Sequence, residues 1–117
     1  RQLLKQRNAT FAIALLFTVL PLSFAFAAVD LSGRPYAMTE LRLLGAEVGG
    51  FAPDLFDHFL QSFAYAAKIN LHVRTLYGVN DHHKIEACFK AMARALDAAT
   101  RIDPRRQGDI PSTKGTL

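Results

Sequence analysis

The chain has 117 residues, half of them apolar, one cysteine and a formal charge of +4. That length holds one domain with a real hydrophobic core, near the size at which domains lean on assembly or metals, and the apolar content excludes a disordered chain. A single cysteine excludes an internal disulfide framework and fits a reducing compartment, while lysines and arginines scattered without a basic stripe argue against nucleic acid and suit a small anionic substrate.

The N-terminal stretch has two readings. Arg1, Lys5 and Arg7 precede an apolar run over residues 11–29, broken by Thr18, Pro21 and Ser23 and ending among Ala25, Ala27 and Ala28. That is the pattern of a signal peptide or short membrane span. Residues 24–31, followed by Ser32-Gly33-Arg34-Pro35, also read as a buried strand running into a turn. Periodicity does not separate the two. The rest of the chain weighs toward the strand, and so toward a cytoplasmic protein without a membrane partner.

Residues 36–44 alternate in part and predict a strand, the Gly49-Gly50 pair marks 45–53 as a loop, and Pro53 suits the first turn of a helix. Leu55, Phe56, Phe59, Leu60, Phe63 and Ala67 recur at three- and four-residue spacing, which predicts a helix over 54–67 with one apolar face. Leu71, Val73 and Thr75 alternate with His72, Arg74 and Leu76 in a strand over 70–77, closed by Gly78. Asn80 suits a helix N-cap. The helix behind it carries Ile85, Cys88, Phe89, Met92, Ala95, Leu96 and Ala99 on one face and runs to Asp103-Pro104. In that company Cys88 is a buried core thiol rather than a nucleophile. The tail over 107–117, with Pro111 and Gly115, reads as an ordered or ligand-ordered loop. Strand, strand, helix, strand, helix predicts an α+β two-layer sandwich, a mixed sheet with two helices packed on one face.

The chemistry concentrates in His82-His83-Lys84-Ile85-Glu86-Ala87-Cys88-Phe89-Lys90-Ala91. On a helix Glu86 lies within a turn of both histidines, and an imidazole and a carboxylate at that spacing can share a metal. Adjacent residues project about 100° apart, so His82 and His83 face two different ions more naturally than one. Lys90, one turn beyond Glu86, continues the row from metal to anion. His58 is a further candidate ligand; His72, on a strand, reads as structural. Nitrogen and oxygen donors without thiolate suit Mn²⁺, Fe²⁺ or Zn²⁺. Ser112 and Lys114 offer a hydroxyl and an ammonium beside a glycine, which suits a phosphate, without the spacing of a P-loop. The plainer alternative is a solvated His-His first turn followed by an ordinary Glu86–Lys90 ion pair.

Several motifs recur here in the order of a known family. Asp30-Leu31-Ser32-Gly33-Arg34-Pro35, Asp57-His58-Phe59, Leu71-His72-Val73-Arg74, Asn80-Asp81-His82-His83 with Glu86, Phe89-Lys90-Ala91 and Pro111-Ser112-Thr113-Lys114-Gly115 resemble the C-terminal half of imidazoleglycerol-phosphate dehydratase. By motif the resemblance runs from about Ala27 to Leu117, which divides the chain into a divergent apolar segment, 1–26, and a half-domain, 27–117. The resemblance implies one half of a duplicated fold, each half a four-stranded sheet with two helices, assembled into homo-oligomers with two Mn²⁺ ions per active site. It implies a lyase of histidine biosynthesis that dehydrates imidazole glycerol phosphate to imidazole acetol phosphate. It makes His58, His82, His83 and Glu86 the metal ligands, Glu86 and His83 also catalytic, and Lys90, Ser112 and Lys114 the phosphate binders. The family's other half brings its own histidines and glutamate, which this sequence does not contain, so the expectation is a truncated or frame-disrupted member. The alternative from another class is a non-catalytic metal-binding or assembly module, tethered to a membrane through residues 11–29.

Overall fold

The computed structural model describes residues 11–17 and 23–101. The tail, and with it Ser112 and Lys114, lies outside the described residues. In chain order the elements are β1 (Phe11–Phe17), β2 (Ser23–Asp30), β3 (Tyr36–Glu40), α1 (Pro53–Ala67), β4 (Asn70–Gly78) and α2 (Asp81–Ala99). The strands form one sheet in the order β1-β2-β4-β3. β2 is antiparallel to both neighbours and β3 runs parallel to β4. A parallel pair needs a crossover, and α1 supplies it.

Alternation decides which face of the sheet is covered. Ala25, Ala27 and Val29 on β2, and Leu71, Val73 and Thr75 on β4, are each at most 1% exposed. Of the residues that point the other way, Phe24, Phe26, His72 and Arg74 are not fully buried, and only the small Ala28, at 9%, is. Both helices lie on the first of these faces: Thr75 meets Cys88 of α2, and Thr39, whose register partner is Val73, meets Asp57 of α1. α2 crosses β1, β2 and β4, and α1 follows β3. Contact between α2 and the sheet is close because small residues stand on both sides, Ala25 and Ala27 below and Ala87, Ala91, Ala95 and Ala99 above, all without exposed surface. The mixed sheet with both helices on one face is the α+β two-layer arrangement expected from the order of elements.

Four differences from the expected elements have physical causes. The apolar run over 11–29 contains two strands: β1 pairs with β2 from Phe11↔Asp30 to Phe17↔Phe24. Residues on both sides of the division at 26/27 thus share one sheet, and no helix among the described residues is long and apolar enough to cross a membrane. The third strand stops at Glu40 rather than 44, because Arg42 adopts a left-handed conformation, φ 59°, and Thr75 Oγ1 donates to the Leu41 carbonyl at 2.7 Å, turning the chain off the sheet. α2 ends at Ala99, where the Thr100 hydroxyl donates to the Leu96 carbonyl, short of the expected Asp103. On α1 only Leu60 and Ala64 are buried, while Leu55 and Phe59 remain about half exposed, at 51% and 49%. A helix that follows one edge strand presents a narrow stripe to the sheet, so an apolar face wider than that stripe stays uncovered.

Candidate metal and anion site at the start of α2

Asn80, in extended conformation, caps α2: its side-chain oxygen accepts from the His83 amide at 3.1 Å and its carbonyl accepts from the Lys84 amide at 3.0 Å. A defined cap fixes where the helix begins, and therefore which way residues 82 and 83 project. Their rings lie 5.7 Å apart, centre to centre, with planes at 84°. The His82 ring reaches toward solvent, with Nε2 3.8 Å from Glu86 Oε2. Glu86 Oε1 accepts from Lys90 Nζ at 3.1 Å. Imidazole, carboxylate and ammonium thus follow one another along a single stripe. His83 turns away from that stripe, and its Nδ1 is buried without a hydrogen-bond partner. A buried ring nitrogen with a free lone pair or an unused proton is costly unless something completes it.

His58 does not join them. It is exposed on α1, its Nε2 3.5 Å from the Ser62 hydroxyl. Among the described residues no three His, Cys, Asp or Glu side chains stand close enough to hold one metal ion. The structure brings His82 and Glu86 together, sets His83 beside them facing elsewhere, and leaves His58 apart. His72 lies on the uncovered face of the sheet with its ring 5.8 Å from that of Tyr36. Cys88 is 1% exposed, and burial raises its thiol above the ordinary range, with the Thr75 hydroxyl opposing the shift.

Two residues that the sequence reading passed over frame the first turn. The Asp81 carboxylate accepts from the Gly45 amide at 2.7 Å and the Leu44 amide at 3.1 Å, and these bonds hold its carboxyl below the ordinary range. Lys84 is buried, its Nζ 2.6 Å from the Arg42 carbonyl oxygen and 3.7 Å from Asp81 Oδ1. A signal was present: Lys84 falls on the stripe of Cys88, Ala91 and Ala95, where a lysine must be buried. Leu44, Gly45 and Glu47 then line an open hollow with Asn80 and His82.

Fold and site together define a class: an α+β two-layer unit with a row of imidazole, carboxylate and ammonium at the start of its longer helix. The family model for imidazoleglycerol-phosphate dehydratase matches residues 2–96, and the chain belongs to that family. The matched stretch begins well before Ala27, where the motifs become legible. The chain is similar to the imidazoleglycerol-phosphate dehydratase of Dehalococcoides mccartyi strain CBDB1, 59% identical over 95 residues, which is 81% of this chain and 48% of that protein. It is similar also to that of Chloroflexus aurantiacus, 48% identical over 116 residues, 99% of this chain and 57% of that one. Among solved structures, imidazoleglycerol-phosphate dehydratase from Staphylococcus aureus superposes with a TM-score of 0.74 at 30% identity, covering 87% of this chain and 60% of the other. The Pyrococcus furiosus IGPD in complex with (S)-C348 gives 0.76 at 31% identity, covering 98% and 63%. The chain spans about half the length of the curated relatives it matches.

Proposed function

We propose that this chain serves the manganese-dependent dehydration of imidazole glycerol phosphate to imidazole acetol phosphate, the lyase step in histidine biosynthesis. The observation that carries this reading is the row His82, Glu86, Lys90, metal donors leading directly into a cation suited to a phosphate, in a chain of this family. The donor set fits the metal. Imidazole nitrogen and carboxylate oxygen without thiolate suit Mn²⁺, and the unpartnered His83 Nδ1 is a buried donor that a cation would complete. His82 and Glu86 would hold one ion and His83 another, with His58 as a further ligand and Glu86 and His83 nearest the chemistry. A bound Mn²⁺ supplies Lewis-acid stabilisation of the charge that develops on the imidazole ring of the substrate.

The remaining work falls to the chain's own side chains. Lys90, together with Ser112 and Lys114, would grip the phosphate and so fix the distance between that group and the reacting carbon. Such positioning turns binding energy into rate. Glu86, bonded on one side to Lys90 and facing His82 on the other, couples anion binding to the ligand geometry. Four donors are too few for two six-coordinate ions, so the rest come from substrate, water or a neighbouring surface, which favours a homo-oligomer.

Manganese titration followed by electron paramagnetic resonance tests the reading. The native chain is expected to bind Mn²⁺, and His82→Ala to weaken binding at least about tenfold. Equal affinity in the two would remove His82 as a ligand. Retained Mn²⁺ binding in an assembled protein that never consumes imidazole glycerol phosphate would leave only a non-catalytic metal-binding module.

A further inference from the structure

The chain leaving β3 is tied down almost residue by residue, and by side chains that the proposed chemistry does not use. Thr75 Oγ1 donates to the Leu41 carbonyl at 2.7 Å, and Lys84 Nζ donates to the Arg42 carbonyl at 2.6 Å. The Asp81 carboxylate accepts from the amides of Leu44 and Gly45 at 3.1 and 2.7 Å. Arg42 is held in the left-handed region, which a residue other than glycine keeps only when its surroundings impose it. Close packing makes the arrangement specific. A Cβ at Gly45 would stand 3.1 Å from Asp81 Oδ2, and one at Gly78, φ 153°, would stand 2.5 Å from Ser23 Oγ and 3.2 Å from the Lys84 stem. Glycine at these two places leaves room for the carboxylate and for the lysine.

Stability alone gives a poor account of Lys84. Its side chain is 3% exposed, and the other residues on its stripe, Cys88, Ala91 and Ala95, are apolar. Replacing a buried ion pair by apolar side chains of similar volume is often neutral or stabilising, whereas a buried pair in well-defined geometry can fix one arrangement among several. The arrangement in question is the rotation of the first turn of α2. Asp81 and Lys84 bracket His82 and His83, so a loop that grips both flanking residues sets the directions in which the two imidazoles project. The same loop residues form the wall of the hollow beside His82.

We propose that Asp81 and Lys84 are positioning residues for the candidate metal site: by clamping the backbone of residues 42–45 they hold His82 and His83 in the two directions that serve separate ions. This rests on the reading of those histidines as ligands. The ring proton and carbon signals of the histidines, in the metal-free full chain and in Asp81→Asn, Lys84→Met and Gly45→Ala, test it. Methionine keeps the length of the stem without the charge, and Gly45→Ala crowds the Asp81 carboxylate while leaving the helix sequence untouched.

In all three variants the His82 and His83 signals are expected to shift while those of His72, on the opposite face of the sheet, stay in place. Mn²⁺ affinity of the folded variants is expected to fall about tenfold, the effect typical of losing a group that orients ligands. If the folded variants keep native His82 and His83 signals and native Mn²⁺ affinity, the clamp has only a structural role and the proposal is overturned. Should Lys84→Met fail to fold, Gly45→Ala and Asp81→Asn, whose side chains lie at the rim, decide the matter alone. A native chain that binds no Mn²⁺ would sink the metal reading, and the ring signals would still decide whether Asp81 and Lys84 orient the histidines.

Discussion

The ammonium of Lys90 and the carboxylate of Glu86 are bonded at 3.1 Å across one turn of α2, with 55% and 34% of their side chains exposed. A pair this wet contributes little to stability, at most about 0.5 kcal/mol. Lys90→Met is therefore expected to leave the unfolding free energy unchanged within that margin. Binding of imidazole glycerol phosphate to the Mn²⁺-loaded protein should weaken about tenfold to a hundredfold, the cost of a charge-assisted hydrogen bond worth roughly 1.5–3 kcal/mol. Calorimetric titration and urea denaturation of the same preparations give both numbers, and a large stability loss with unchanged binding would return the pair to an ordinary helix contact.

Because His82 and Glu86 face each other while His58 stands apart, the three should not be equivalent toward metal. At low protein concentration, Glu86→Gln is expected to weaken Mn²⁺ binding about tenfold or more and His58→Ala less than about twofold. If copies assemble and bring His58 to a neighbour's ion, the His58→Ala loss grows with protein concentration. A titration repeated over a range of concentrations reads this directly.

Cys88 makes a pH-dependent prediction. Burial raises its thiol above the ordinary value of 9.0, so the unfolded chain releases this proton at a pH where the folded chain still holds it. Folded protein then binds more protons than unfolded, and stability falls as pH rises above about 9 toward the folded value. Cys88→Ala should remove this component of the slope of unfolding free energy against pH. In the native protein, iodoacetamide at pH 8 should label the thiol only after denaturant is added.

Leu71 and Ile13 sit on opposite faces of the sheet, one with no exposed surface and the other 52% exposed. Leu71→Ala is expected to cost about 2–5 kcal/mol, and Ile13→Ala less than about 0.5 kcal/mol as a surface change. Equal losses in denaturant melts would mean that something covers the outer face in solution.

Much of the fold is legible in local pattern. The alternation of Leu71, Val73 and Thr75 and the helical spacing of Ile85, Cys88, Met92 and Ala95 each report which side of an element is buried, and the observed burial follows them. Asn80 was legible as a cap because capping is settled within a few residues. The row of His82, Glu86 and Lys90 was legible for the same reason: residues four apart on a helix are neighbours whatever the rest of the chain does.

What the sequence determined by itself, then, is the set of contacts that lie within a turn of helix or an alternation of strand, including the donor row on α2. Tertiary structure decided the rest. Local pattern does not separate an anchor from a strand over residues 11–29; the strands at Phe11–Phe17 and Ser23–Asp30 rest on β1 pairing with β2 and β2 with β4. The separation of His58 from His82 came from placing α1 along β3 while the first turn of α2 is held against residues 42–45. The grip of Lys84 and Asp81 on residues 42–45 joins positions about forty apart in sequence. Only the register of the sheet brings those backbone groups within reach of a carboxylate and an ammonium, and no local periodicity carries that register.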